Sequence, residues 1–136
     1  MDAQAIGAAL SVPRTDGYVY LASPYSHADP AVREARFQQI CHITADLMRK
    51  KGLVVYSPIG SMHPVALRHT LSTDWEYWKH FDSVFIFRAD KLIVAMMDGW
   101  MESVGVQAEV NLATDAGITV EYLEVKSWTL STCPTL

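Results

Sequence analysis

Two acidic residues lie at positions where a carboxylate is unusual, and both could take part in acid–base chemistry. Glu109 falls in a segment with helical spacing and shares one face with Gly105, Val106 and Ala113, because residues three and four positions apart stack on one side of a helix. A carboxylate on an apolar face is costly unless it is paired or used. Asp82 lies inside a second helical segment, which is rich in aromatic residues. A purely structural role stays open for both residues. In that alternative, Glu109 is held by a hydrogen-bond donor, and Asp82 is a solvated position on an amphipathic helix.

The surroundings of these two carboxyl groups predict that Glu109 is ionised and that Asp82 is protonated. Glu109 lies in the first two turns of its predicted helix, where the helix dipole favours the ionised form that a nucleophile needs. Asp82 is set among Trp78, Phe81 and Phe85, and apolar surroundings raise the pKa of a carboxyl, as a proton donor needs. Together they are predicted to form an acid–base pair.

Strands and helices are predicted to alternate along the chain. Three β-rich runs predict strands at Tyr18–Ser23, Leu53–Ser57 and Leu92–Met97, and a fourth strand follows Gly117. Three helices are predicted from caps and periodicity: Pro30 to Lys51 after the cap Asp29, a helix opened by a capping box at Thr73–Glu76 and ending near Arg88, and a helix from the cap Ser103 to Gly117. The stretch Pro58–Leu71, with its Pro and Gly residues, is predicted to be a loop or irregular lid.

This order predicts a parallel sheet with helices on both faces. Ligands of such sheets bind beyond the carboxyl ends of the strands, so three loops are expected to meet there: Ser23–His27, Pro58–Leu71 and Asp98–Ser103. The predicted domain spans 18–124, with a loose arm at 1–17 and a tail at 125–136.

Composition excludes several classes of protein. At 136 residues, half hydrophobic and 19% charged, the chain has the size and composition of one globular domain. A net charge of −4 argues against binding a nucleic-acid polymer. No apolar run approaches the ~20 residues of a membrane span, and the N-terminus lacks the basic start of a signal peptide, so no membrane contact and a cytoplasmic location are predicted.

Motifs exclude further kinds of site. Cys41 and Cys133 show no CxxC spacing, and His63 and His69 are six positions apart, which does not suit one helix face, so no metal is predicted. Neither GxGxxG nor GxxxxGK[ST] is present, which disfavours dinucleotide binding and P-loop hydrolysis.

Three segments carry a resemblance to a known family: YLASPYS at the first strand, FDSVFIFRADKLIVAMMD in the middle, and SVGVQAEVNLATDAGITV. Together, over Tyr18 to Glu124, the chain resembles the nucleoside 2-deoxyribosyltransferase family, small α/β proteins that break and remake the N-glycosidic bond of deoxynucleosides. Relatives in that family hydrolyse deoxynucleoside monophosphates. The resemblance implies a flavodoxin-like or Rossmann-like three-layer sandwich and no cofactor.

The resemblance also implies roles for individual residues. Glu109 matches the nucleophilic glutamate, Asp82 the aspartate that contacts the base and can protonate it, and Tyr20 the tyrosine that orients the nucleophile. Ser103 stands where the transferases tend to carry an aspartate, and a serine there resembles the hydrolase branch, so hydrolysis is favoured over transfer. The expected substrate-binding residues are Ser23, Tyr25, Ser26, Asp98, Ser103 and Trp78.

The expected function is therefore cleavage of the N-glycosidic bond of a small-molecule nucleoside or of its 5′-monophosphate. The family resemblance further implies a homo-oligomer, a dimer or tetramer, for which the aromatic helix Thr73–Arg88 offers an apolar surface. One alternative is a non-catalytic nucleotide-binding or sensor protein of the same fold. A second alternative, a redox flavodoxin that binds FMN, rests on the fold alone.

Overall fold

Four strands and four helices lie along residues 17–126, the part of the chain that the computed structural model describes, with two successive helices between the second and third strands. The strands are β1 (Val19–Ala22), β2 (Val55–Tyr56), β3 (Lys91–Met96) and β4 (Thr119–Glu124), and the helices are α1 (Pro30–Lys51), α2 (Pro58–His69), α3 (Trp75–Ile86) and α4 (Val104–Asp115). Apart from Gly17, Val125 and Lys126, the predicted arm and tail lie outside the described residues.

The strands form one parallel sheet in the order β2-β1-β3-β4. In register, Val19 of β1 lies between Val55 of β2 and Lys91 of β3. The predicted three-layer α/β architecture of the flavodoxin-like type is thereby confirmed. Because all strands are parallel, their carboxyl ends meet at one edge of the sheet.

The two faces of the sheet bury separate apolar clusters. Residues of α1, such as Ile40 and Ile43, pack with Leu21 and Ile93 on one face. On the other face, α3 and α4 pack against Tyr20, Ala22, Leu92 and Val94. Each fully buried aliphatic side chain contributes roughly 1.5–3 kcal/mol. Alternation along β1 thus directs Tyr20 towards α3 and α4, the helices that carry Asp82 and Glu109.

The ends of α1 are as predicted. Asp29 Oδ1 accepts the amide hydrogen of Ala31 at 2.9 Å, and Pro30 occupies the first helical turn. Gly52 ends the helix with φ 63°, in the left-handed region that glycine tolerates.

The prediction of a loop or lid at Pro58–Leu71 is wrong, because this stretch forms α2. Ser57 Oγ accepts the amide hydrogen of Gly60 at 3.0 Å, and Pro58 occupies the first turn, where a missing N–H costs nothing. Pro64 lies inside the helix, and Thr70 ends it with φ 55°. The Pro and Gly residues that suggested a loop are therefore partly helix-start signals.

Of the other two helices, α3 differs from prediction at its start and α4 begins as predicted. The N-cap of α3 is Asp74, not Thr73, and its side chain makes no cap hydrogen bond, so the predicted capping box is absent. At the other end, α3 stops at Ile86 with Phe87 as C-cap, close to the predicted end near Arg88. The cap of α4 is Ser103, as predicted, with Oγ accepting from the Val106 amide at 3.2 Å.

Candidate functional site

A buried cluster of three ionisable side chains lies between the sheet and two helices. Tyr20 on β1 is fully buried, Glu109 on α4 is 4% exposed, and Asp82 on α3 is 6% exposed. The Tyr20 hydroxyl donates a hydrogen bond to Glu109 Oε2. The structure thus brings together the three residues that the sequence analysis expected to be catalytic, while their roles remain predictions.

Burial governs the ionisation of this cluster. Burial raises the pKa of Asp82 to about 7, while the neighbouring Tyr20 hydroxyl lowers it by less, which agrees with the predicted direction. For Glu109, burial and then the Asp82 charge raise the pKa well above its usual range. Burial therefore opposes the predicted ionised form of Glu109, because a helix dipole contributes at most ~2 kcal/mol and desolvation acts against it.

The two carboxyl groups titrate as a pair. Each charge opposes the other, so the pair retains a proton more readily than two separate carboxyls would. Burial, followed by the charge on Glu109, also raises the pKa of Tyr20. Tyr20 thus keeps its hydrogen and stabilises whichever negative charge forms on Glu109.

A cavity of about 420 Å³ opens onto Asp82 and Glu109 at the carboxyl edge of the sheet. Five of the six predicted binding residues line it: Ser23, Tyr25, Ser26, Trp78 and Ser103. Helix α2 forms one wall, so the segment predicted to be a loop or lid is a helix that lines the cavity. The volume lies within the range of roughly 300–1,000 Å³ that small-molecule sites occupy.

Asp98, the sixth predicted binding residue, does not line the cavity. Its side chain is exposed, and its carbonyl accepts from Arg36 Nη2 at 3.5 Å. The loop after β3 turns at Gly99, which has φ 90°, and only its last residues, Glu102 and Ser103, reach the cavity. Asp98 is thus the one predicted binding residue outside the cavity lining, and its binding role stays a prediction.

Two buried polar atoms beside the cavity have no hydrogen-bond partner among the described residues. These are Ser23 Oγ, in a residue that is 3% exposed, and Asp82 Oδ1. An unpaired buried polar atom costs about 1–3 kcal/mol. Both residues also line the cavity, so a bound molecule can supply the missing partners.

A histidine to which the sequence analysis gave no role is built into the cavity wall. His63 on α2 is 5% exposed; its Nδ1 lies 2.6 Å from the Tyr25 hydroxyl and its Nε2 lies 2.7 Å from Glu34 Oε2. Its ring packs on Phe37, with the centroids 4.5 Å apart. The spacing of Ile59, His63 and Ala66 on one helix face would have indicated burial, had the segment been recognised as a helix.

Two arginines near the cavity bind the backbone of its loops. Arg36 Nη1 donates to the Ser26 carbonyl at 3.0 Å, and Arg33 donates to the His27 carbonyl. Neither residue lines the cavity. These guanidinium groups therefore shape the loop after β1.

Residues 17–126 contain no group of three or more His, Cys, Asp or Glu side chains placed to hold a metal ion. Among the helices in this range, none is both long and apolar enough to cross a membrane.

Comparison with known proteins identifies a family. The family model described as "Domain of unknown function (DUF1937)" matches residues 17–125, which include every residue of the site described above. No curated protein matches the chain.

Proposed function

The chain belongs to the DUF1937 family, and we propose that it cleaves the N-glycosidic bond of a nucleoside or of a nucleoside 5′-monophosphate. The observation that carries this proposal is the cluster of Tyr20, Asp82 and Glu109 at the floor of a cavity of about 420 Å³. The sequence resemblance to the nucleoside 2-deoxyribosyltransferases supports the same chemistry.

Glu109 is proposed as the nucleophile. Departure of a base leaves positive charge on the anomeric carbon, which an adjacent carboxylate stabilises or traps. Attack forms a bond between Glu109 and the anomeric carbon while the bond to the base breaks. The Tyr20 hydroxyl, already donating to Glu109 Oε2, orients the carboxylate and holds its negative charge.

Asp82 is proposed as the acid that protonates the leaving base. A pKa of about 7 leaves a substantial fraction of this carboxyl protonated near neutral pH. The reactive arrangement has the shared proton on Asp82 and the charge on Glu109. After the base leaves, Asp82 accepts a proton from the water that releases the sugar from Glu109.

The aromatic wall supports binding of a base. Trp75 and Trp78 line the cavity on the same helix as Asp82. The Trp78 ring is held in place because its Nε1 donates to the Ser72 carbonyl at 2.7 Å. A fixed indole beside a proton donor suits a stacked nucleobase.

Hydrolysis is proposed over transfer to a second base. Ser103 lies at the cavity but already caps α4, and it supplies no carboxylate where the transferases tend to carry one. A homo-oligomer is also proposed, because α3 and its C-cap expose Tyr77, Val84 and Phe87.

The test is chromatographic release of free base from deoxynucleosides and their 5′-monophosphates. Glu109→Gln is expected to reduce release at least about a thousandfold, as loss of a covalent nucleophile does. Glu102→Gln is the matched control, because Glu102 lines the same cavity but is exposed, and it should stay close to wild type.

Two results would contradict the proposal. If Glu109→Gln releases base no more slowly than Glu102→Gln, Glu109 is not the nucleophile. If wild type releases no base from any substrate, with or without an acceptor base, the glycosidic chemistry is wrong and the non-catalytic nucleotide-binding alternative takes its place.

A further inference from the structure

We propose that the side of the cavity formed by Trp75, Trp78 and Asp82 favours a nucleobase that carries a positive charge, such as a base methylated on a ring nitrogen. This inference rests on the proposed function, because it names the class of nucleoside whose N-glycosidic bond is cleaved. It concerns the base alone, and so applies with or without a 5′-phosphate on the sugar.

Acidic side chains dominate the charged groups of the cavity lining. In the described part of the chain, the lining contains no Lys or Arg and five acidic residues: Asp74, Glu76, Asp82, Glu102 and Glu109. Within residues 17–126, Glu76 alone of these five has a basic partner, Lys79 Nζ at 2.7 Å. The other four lack a cationic partner, which a positively charged ligand would supply.

Positive groups of the protein do not cancel this charge. His63 is the basic side chain among the described lining residues, and its Nε2 lies 2.7 Å from Glu34 Oε2, which balances any charge that it gains. Helices α2, α3 and α4 begin at the cavity, and each helix start contributes about half an elementary charge. At α3 that start carries Asp74 as N-cap and Glu76 in the first turn, and Glu102 directly precedes the cap of α4. The acidic residues therefore remain in excess.

One side of α3 brings two indoles and a buried carboxyl group to the cavity. Trp78 and Asp82 follow Trp75 by three and seven positions, a spacing that places all three on one side of a helix, and all three line the cavity. Asp82 is 6% exposed, and its Oδ1 has no hydrogen-bond partner among the described residues. The face of an indole attracts a cation, most strongly where water is excluded. A planar cationic base thus matches both the rings and the unpaired oxygen.

A cationic base also removes a demand that the proposed reaction makes of Asp82. When the bond between the anomeric carbon and the ring nitrogen breaks, its electron pair stays on that nitrogen and cancels the positive charge of the base. The base then leaves as a neutral molecule without receiving a proton, while Glu109 bonds to the anomeric carbon. Asp82 can remain ionised in this case, and a neighbouring cation favours its ionised form.

Two pairs of isomeric nucleosides test the charge of the base at constant size. 1-Methyl-2′-deoxyadenosine and 3-methyl-2′-deoxycytidine are cations near neutral pH, whereas their isomers methylated on the exocyclic amino group are neutral. The measurement is calorimetric titration of each nucleoside into Glu109→Gln, the variant expected to be almost inactive. Each cationic isomer should bind at least about tenfold more tightly than its neutral isomer. This preference should shrink as the salt concentration rises, because salt screens the exposed acidic residues.

Variants of the lining test whether the preference arises in this cavity. In the Glu109→Gln background, Asp74→Asn should weaken binding of the cationic isomers about threefold and leave the neutral isomers unchanged. Asp74 makes no side-chain cap hydrogen bond, so the start of α3 is retained. Asp115→Asn is the matched control, because Asp115 is exposed at the end of α4 and does not line the cavity. Trp78→Leu should reduce the preference about fivefold and Trp78→Phe less, with circular dichroism as the check on folding.

Three results would overturn the cation preference. These are equal or tighter binding of the neutral isomers, binding of none of the four nucleosides, and a preference that Asp74→Asn and Trp78→Leu both leave unchanged.

Base release by the wild-type chain keeps the two proposals distinguishable. If the cationic isomers bind more tightly but no base is released from any nucleoside, the glycosidic chemistry is refuted and the cation preference stands. If base is released and the isomers bind equally, the cation preference alone is refuted.

Discussion

Replacing Asp82 by asparagine should change how the stability of the protein depends on pH. Asp82 is almost fully buried, and its Oδ1 has no hydrogen-bond partner in the described residues. Asparagine keeps the shape of the side chain and cannot ionise, so the substitution isolates the effect of the charge.

The magnitude follows from the pKa of this carboxyl. Burial raises it from 3.8 to about 7, and each pKa unit corresponds to about 1.4 kcal/mol, giving a total of about 4 kcal/mol. Because the folded state binds the proton more tightly than the unfolded state, the free energy of unfolding falls as pH rises through this range. Roughly 3 kcal/mol of this total is lost between about pH 5 and pH 8.

The assay is urea unfolding of wild type and Asp82→Asn at about pH 5 and pH 8. Between these two pH values, the free energy of unfolding of wild type should fall by roughly 3 kcal/mol more than that of the variant. Removing the Asp82 charge also lowers the pKa of Glu109, which acts in the same direction. Asp74→Asn, at the exposed cap of the same helix, should behave like wild type. If Asp82→Asn has no larger effect on the pH dependence than Asp74→Asn, the reasoning on burial is refuted.

Two further predictions concern single hydrogen bonds. Tyr20→Phe removes the donor to Glu109 and should slow base release about tenfold to a hundredfold while the fold is retained. The measurements are kcat and circular dichroism. An unchanged kcat would contradict the orienting role. Ser103→Ala removes the α4 cap and should lower the free energy of unfolding by ~1 kcal/mol, measured in urea; Ser83→Ala, within α3, is the control, and an equal loss there would contradict the capping account.

Local patterns were enough to predict the parts of the site that depend on one element. Glu109 stood out because helical spacing placed a carboxylate on an apolar face, and the structure buries it there. The Asp29 and Ser103 caps are likewise local features. The alternation of strands and helices predicted the parallel sheet, since few topologies accommodate it.

Features that depend on distant contacts escaped prediction. His63 is buried through Glu34 and Phe37, which belong to another helix, and no local pattern links them. The ionisation of Glu109 was mispredicted because the helix dipole is local, whereas desolvation depends on how the sheet and α3 cover the carboxyl. Asp98 lies outside the cavity lining, and its placement depends on the course of the loop after β3, which no local pattern gives.

The position of Tyr20 couples the cluster to the cooperative unfolding of the domain. Tyr20 belongs both to the cluster and to the core of β1, a strand that is paired on both sides. Segments that open locally are those with few buried contacts, and β1 is the opposite case. Tyr20 therefore cannot leave Glu109 by local opening of β1 while the sheet persists, and on heating this hydrogen bond and the sheet are lost in the same transition.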